Sequence, residues 1–304
     1  MALIDQLTAI TQELILPKLV DNVKTSNVIL ERLFKKGTKH GAALHIQQPL
    51  EYAFGTGGWY SGYDKLDTTP SEEITAAAYD WRQGYGVMQI SRTDELKNAG
   101  KRGVVKLLNA KRKNAEKGLR DRMGTALFGV GGSKDIDGFR TLVSDSATVG
   151  GIAVADASWW VSKTVSDTVL TLPSLNDLFV ECTEESEHPT IGVTTKANFK
   201  RIWNQIQPAQ RLVDSKMANA GFSNVSTIEF NGAPIVVDSH CPANYFFWLN
   251  ENYLDLVTHE DENFRFDPWR KPTDQEAALA KVFWAGNITT SNRRMHGFCS
   301  GYAG

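Results

Sequence analysis

An uninterrupted helical pattern over Thr93–Phe128 restricts this chain more than any other feature. Ser91 with Asp94 fits a capping box at its start, and Asp94 and Glu95 suit the positive end of a helix dipole. Leu96, Val104, Leu107, Leu108, Ala115, Leu119, Met123 and Leu127 form one apolar stripe. At 1.5 Å per residue the helix would be about 54 Å long. Gly100, Gly103 and Gly118 each weaken it by up to about 1 kcal/mol relative to Ala, which close packing of another element would explain. Gly129-Val130-Gly131-Gly132 ends it.

The segment is also basic. Lys97, Lys101, Arg102, Lys106, Lys111, Arg112, Lys113, Lys117, Arg120 and Arg122 face only Asp94, Glu95, Glu116 and Asp121. The plain reading is a solvated helix face. The functional reading is a surface turned toward polyphosphate or an acidic partner, with Lys106, Lys111, Arg112, Lys113 and Lys117 as its candidate residues. Residues 1–150 hold 21 Lys/Arg against 17 Asp/Glu, and residues 151–304 hold 12 against 18. The second half could therefore supply that acidic partner.

Upstream, residues 1–36 read as one or two helices, with Leu3, Ile4, Leu7 and Ile10, then Val28, Ile29 and Leu33, at helical spacing and a break at Pro17. Residues 44–53 read as a strand. Residues 74–90 read as a second, with Tyr79, Trp81, Gln83, Tyr85 and Val87 on one face at period two. Between them, Phe54–Tyr63 is rich in glycine and aromatics. An isolated two-stranded ribbon is marginal in water, so this one should lie against something else. Trp59, Tyr60 and Tyr63 are the candidate interface residues at its tip, because aromatic side chains are favoured anchors at protein interfaces.

Downstream the chain alternates without a βαβα rhythm, which indicates a mixed α+β class. Helices are expected over 174–187 and 196–206. Strands are expected over 190–194, 230–238 (after a turn at Asn231-Gly232), 245–249, 253–266 and 277–290, with a turn from Asp267-Pro268 through Thr273-Asp274.

Known chemistry finds little support. GVGGSK at 129–134 lacks the spacing of a phosphate loop and follows a helix rather than a strand. His259-Glu260-Asp261-Glu262 alternates faces and reads as a polar bend. Asp135-Ile136-Asp137-Gly138 lacks the rest of a calcium loop. His240-Cys241, as adjacent residues, make a poor base and nucleophile pair. No catalytic, cofactor-binding or metal residue is assigned and no cofactor is expected. Cys182, Cys241 and Cys299 form no pair or framework, which suits a reducing compartment. A net charge of −2 argues against a wholly basic nucleic-acid binder. No secretory signal and no run long enough for a bilayer span is read, so no membrane partner is expected.

Several segments occur in an order that resembles the major capsid protein of tailed bacteriophages. They are Ile136-Asp137-Gly138-Phe139-Arg140-Thr141-Leu142-Val143 and the stretch 192–222. FNGAPIVVDSHCP at 230–242, NFRFDPWRKP at 263–272 and AKVFWAGNITTSNRR at 280–294 complete the series. The resemblance implies an α+β chain with the Hong Kong 97-type fold: an N-terminal arm over 1–43 and an extended loop over 44–90. A peripheral domain with a spine helix follows over 91–150 and 251–293, and a compact axial domain over 151–250 and 294–304. It implies a shell protein without enzymatic activity, enclosing packaged double-stranded DNA in the virion and assembled in the host bacterial cytoplasm. The implied partners are the chain itself in pentamers and hexamers, a portal, and packaged DNA in non-specific contact. About 43 residues before the loop are too few for a fused scaffolding domain, so a separate scaffolding protein is expected. Other readings at this stage are a minor capsid or tail component, an α+β enzyme, and a free-standing DNA-binding protein.

Overall fold

The computed structural model describes residues 27–301 apart from 42, 94–100, 133, 168, 207–227 and 273–276, and gives the backbone alone over 101–108. The capping box at Ser91 and Asp94, the apolar positions before Asn27 and the turn at Thr273-Asp274 involve residues outside these. The α+β reading holds, and the elements fall into a five-stranded sheet, a six-stranded sheet and a two-stranded ribbon.

Helix α1, Val28–Lys36, buries Ile29, Leu30 and Leu33 and leaves its basic end in solvent. It is tied to later sequence: Arg32 donates to both carboxylate oxygens of Glu251 at 2.6 Å, and Lys36 donates to the Glu251 carbonyl. After α1 come the two-residue strand β1 (Lys39–His40), then β2 (Ile46–Glu51), β3 (Ile74–Tyr79) and β4 (Arg82–Ser91). The single strand expected over 74–90 is therefore two. Its period is continuous, but the hydrogen-bond partner changes at Asp80-Trp81: β3 pairs with β2, and β4 joins another sheet. Tyr79 is buried while Tyr85 and Val87 are exposed.

The long helix α2 is described over Lys101–Leu127. Its lower half packs as the stripe predicts, with Leu119, Met123 and Leu127 buried. Of the three glycines expected to be closely packed, only Gly118 can be placed, because Gly100 and the surroundings of Gly103 lie outside the described residues. Nothing lies within 4 Å of a Cβ placed on Gly118, whereas Gly84 and Gly86 of β4 form the notch that admits the helix. A Cβ on Gly86 would stand 3.0 Å from the Ala115 carbonyl oxygen. The glycine break then turns the chain back sharply into α3 (Phe139–Leu142), with Gly138 against the Gly129 carbonyl.

Next come β5 (Lys163–Ser166), α4 (Leu172–Glu181), β6 (Ile191–Thr194), α5 (Lys196–Ile206), β7 (Ile228–Phe230), β8 (Ala233–Val237) and β9 (Tyr245–Leu249). Asn231 and Gly232 both have positive φ, as the hairpin turn between β7 and β8 requires. The last strands are β10 (Leu254–His259), β11 (Arg265–Arg270), β12 (Ala277–Thr290) and β13 (Gly297–Ser300). The strand expected over 253–266 is thus two short ones. Asp267-Pro268 lies inside β11 rather than in a turn, tolerated beside an irregularity in pairing between Asp267 and Arg270.

β12 organises the five-stranded sheet. One edge pairs with β10 and then β11, and the other pairs with β4 over ten residues, Arg82↔Gly286 to Ser91↔Ala277. The six-stranded sheet has the order β5-β13-β9-β6-β8-β7. One core joins α1, α2 and the ribbon base to Val193, Phe247 and Leu249 of that sheet. A second, around Leu175, Phe179, Ile202 and Trp248, lies between the six-stranded sheet and its helices.

Candidate assembly surfaces

The ribbon has two ends of opposite character. At its base, Ile46, Leu50, Ala77 and Tyr79 are buried. Ala78 N–H donates to Gly150 O at 2.9 Å, and Gly150, at φ +61°, sits where a Cβ would be 2.5 Å from that of Ala77. The Tyr79 hydroxyl donates to Thr290 O at 3.1 Å, and burial raises its pKa. Asn287 of β12 knots the same region. Its Oδ1 accepts from Asp137 N–H, and its Nδ2 donates to Asp80 O and Asp137 Oδ2, each at 2.9 Å. Burial pushes the Asp137 carboxyl up.

Beneath the base lies a fully buried cation. Arg293 donates to the carbonyls of Leu142 (3.0 Å), Ala147 (3.2 Å), Trp160 (2.7 Å) and Ser144 (2.5 Å), its guanidinium 5.7 Å from the Trp160 ring centre. Burial lowers its pKa to about 10. His296 is buried beside it. Its Nδ1 accepts from Asn250 N–H at 3.1 Å, and its Nε2 lies 3.3 Å from Thr290 Oγ1. Burial, with Arg293 nearby, lowers the ring pKa to about 3.

The tip is shaped by local hydrogen bonds. Ser61 N–H donates to Asp64 Oδ2 at 2.8 Å, Thr56 Oγ1 to Thr69 O at 3.0 Å, and Thr69 bonds hold the Asp67 carboxyl below its ordinary range. Its aromatics are bare: Trp59 is 105% exposed, Tyr63 106% and Phe54 96% relative to a free residue, with Tyr60 and Leu66 also exposed. Phe54 and Leu66 extend the patch beyond the three residues expected from sequence. Phe54, immediately before Gly55, was the signal.

An open groove of about 520 Å³ flanks the ribbon base, lined by Leu44, Trp81, Gln83, His259, Glu262 and Ala285. Trp81 walls it, its Nε1–H fixed to Ala43 O at 2.8 Å and its ring edge-on to His259 at 5.2 Å. No sequence motif announces this groove, because four separate segments build it.

The basic residues of α2 do not form one free face. Lys111 Nζ donates to Gln89 O at 2.7 Å. Arg112 donates to Glu116 at 2.9 Å and lies 5.2 Å over Phe266. Lys113 is exposed, Lys117 is half-buried, and the Lys106 side chain lies outside the described residues. Arg120, not singled out from sequence, stands over both Phe34 (5.4 Å) and Phe264 (5.0 Å) and clamps α1 to α2. Cys241 is buried with its thiol pushed up, far from nucleophile chemistry. Among the described residues no His, Cys, Asp and Glu cluster is placed to hold a metal, and no helix is long and apolar enough to cross a membrane.

No family model matches the sequence, and no curated protein matches it. Solved structures do. The chain is similar to a protein of the cyanophage A-1(L) capsid asymmetric unit at TM-score 0.70 and 13% identity, covering 95% of this chain and 96% of that one. The chain has a phage-capsid fold. The capsid of the native GTA particle superposes at TM-score 0.65 with 14% identity, over 95% of this chain and 96% of that one. The holo-SrpI encapsulin complex of Synechococcus elongatus PCC 7942 follows at 0.53 and 9%, over 94% and 92%.

Proposed function

We propose that this chain is a major capsid protein of the Hong Kong 97 type, a non-enzymatic shell subunit. The observation that carries the reading is the aromatic tip, held out on a ribbon whose base is anchored and touching little of its own subunit. Large apolar side chains left this exposed together on one loop mark an interaction surface. Large aromatic side chains bury roughly 150–250 Å² each, so four supply on the order of 600–1,000 Å², about one partner's share of a standard interface.

Residues 44–90 then serve as the extended loop, with the ribbon proper at 46–79. Apart from β1 and β4, which come from the arm and the loop, the five-stranded sheet with α2 corresponds to the peripheral domain (91–150 and 251–293), and the six-stranded sheet to the axial domain (151–250 and 294–304). β2 carries the tip about 20 Å from the ribbon base at 3.4 Å per residue, so a copy cannot fill its own groove. A neighbour's tip can. Tip and groove are different surfaces, which makes the contact head-to-tail, and head-to-tail contacts build rings where the rotation between copies closes and open filaments where it does not. Rings of five and six, a separate scaffolding protein, a portal, non-specific contact with packaged DNA through Lys113 and its neighbours, and residence in the virion after assembly in the host cytoplasm complete the reading.

Electron microscopy of the purified chain, with and without a candidate scaffold, tests it. Rings, tubes or shells are expected. A strictly monomeric species at high concentration under both conditions would refute it.

A further inference from the structure

The turn after β8 holds a second polar junction that the shell reading does not use. His240 is nearly enclosed, and both ring nitrogens face carboxylates. Nε2 lies 2.8 Å from Asp121 Oδ1 on α2, and Nδ1 lies 3.2 Å from Asp238 Oδ1. The His240 amide also donates to Asp238 Oδ1 at 3.0 Å. Asp238 is buried, and its Oδ2 has no hydrogen bond of normal geometry. The remaining groups facing the ring are the Ser239 hydroxyl, 3.4 Å from Nδ1, and Asn27 at the start of α1. Asn27 in turn donates to Arg120 O of α2 at 3.1 Å. The long helix is cut away to receive them: a Cβ on Gly124 would be 2.7 Å from Asn27 Oδ1 and 3.1 Å from His240 Nδ1. Asp121 and Gly124 share a helix face at i, i+3.

Proton arithmetic decides what this arrangement does. A neutral imidazole has one N–H and one lone pair, and a carboxylate offers only lone pairs. A ring between two carboxylates therefore satisfies both only as imidazolium, or with the extra proton on one of the two carboxyls. Either way the chain of three holds one proton more than its fully deprotonated form. Without it a lone pair on the nearly enclosed ring opposes one of the two carboxylates, buried Asp238 or partly exposed Asp121, which is repulsive.

We propose that this junction is a proton-operated fastener: with one proton in the Asp121–His240–Asp238 chain, α2 is clamped to the six-stranded sheet, and loss of that proton as pH rises frees the helix. The sign agrees with Asp238, whose carboxyl is raised chiefly by burial. A group that binds its proton more readily in the native state than in the unfolded chain contributes stability at low pH that is lost as pH rises. The proposal stands independently of what the chain assembles into.

Hydrogen exchange by mass spectrometry on the full chain tests it, with rates corrected for intrinsic pH dependence and β9 as the internal reference. In the wild type, exchange over residues 117–127 should accelerate by about tenfold or more between about pH 5.5 and about pH 8.5. His240→Gln should abolish that step. So should Asp121→Asn, which removes one carboxylate and, on a partly exposed side chain, keeps the protein testable if His240→Gln fails to fold. Absence of a step in the wild type, or an unchanged step in Asp121→Asn, would overturn the proposal.

Discussion

Tyr79 and Tyr63 sit on the same ribbon, sixteen residues apart, and their surroundings are opposite. Tyr79 is 2% exposed with its hydroxyl bonded to β12, while Tyr63 is fully exposed. Residue type does not distinguish base from tip. What differs is whether distant sequence returns to cover them. Gly150, Asn287, Thr290 and Arg293 all converge on the base, and among the described residues nothing comparable reaches the tip. The base belongs to the stability of the subunit, and the tip is exposed apolar surface that adds little to it.

That contrast can be broken from the base. Arg293→Ala strips four carbonyls of their shared donor, and should cost about 3–5 kcal/mol, the range for breaking a buried charged network. Urea unfolding of the free subunit measures this, and a loss under about 1 kcal/mol would remove Arg293 from the foundation. Gly150→Val forces a side chain into Ala77 at positive φ, and should cost about 2–4 kcal/mol by the same measurement.

Acid should act on the base next. The His296 ring pKa is depressed to about 3, so between there and about 6.5 the unfolded chain binds the proton that the native state refuses. Stability therefore falls as pH drops below about 6.5, by about 2 kcal/mol at about pH 5 from this group alone. Unfolding curves across that range for wild type and His296→Asn should show the variant with the shallower slope. The tip gives the smallest effect on the subunit. Trp59→Ala with Tyr63→Ala should change unfolding by no more than about 0.5 kcal/mol while preventing closed assemblies. A large fall in melting temperature, or normal assemblies, would mean the tip folds onto its own subunit.

Much of the fold was legible wherever a local pattern and its pairing coincide. The helix over 196–206 and the strands at 245–249 and 277–290 match their expected bounds, because breakers or turns fence each. Legibility failed where tertiary pairing overrides a continuous pattern, as at Asp80-Trp81 and in β11. The aromatic tip was readable because glycines surround it. The groove, the Arg120 clamp and the His240 junction were not, since each joins residues more than eighty positions apart. Gly118 of α2 was misread for a related reason. The close approach is made by Gly84 and Gly86 on the opposing strand, which no helical pattern contains.

The pairing of β4 with β12 has a further consequence during synthesis. Ser91 finds its partner at Ala277, and Arg293 lies later still. At about 5–20 residues per second, a ribosome spends roughly 10–40 s between making the ribbon and making the strand that seats it. Throughout that interval the nascent ribbon has its aromatics but no foundation, so it lacks the rigid geometry that docking onto another copy would need. The late position of β12 and Arg293 thus works as a timer, leaving the ribbon without a stiff seat until both have been made.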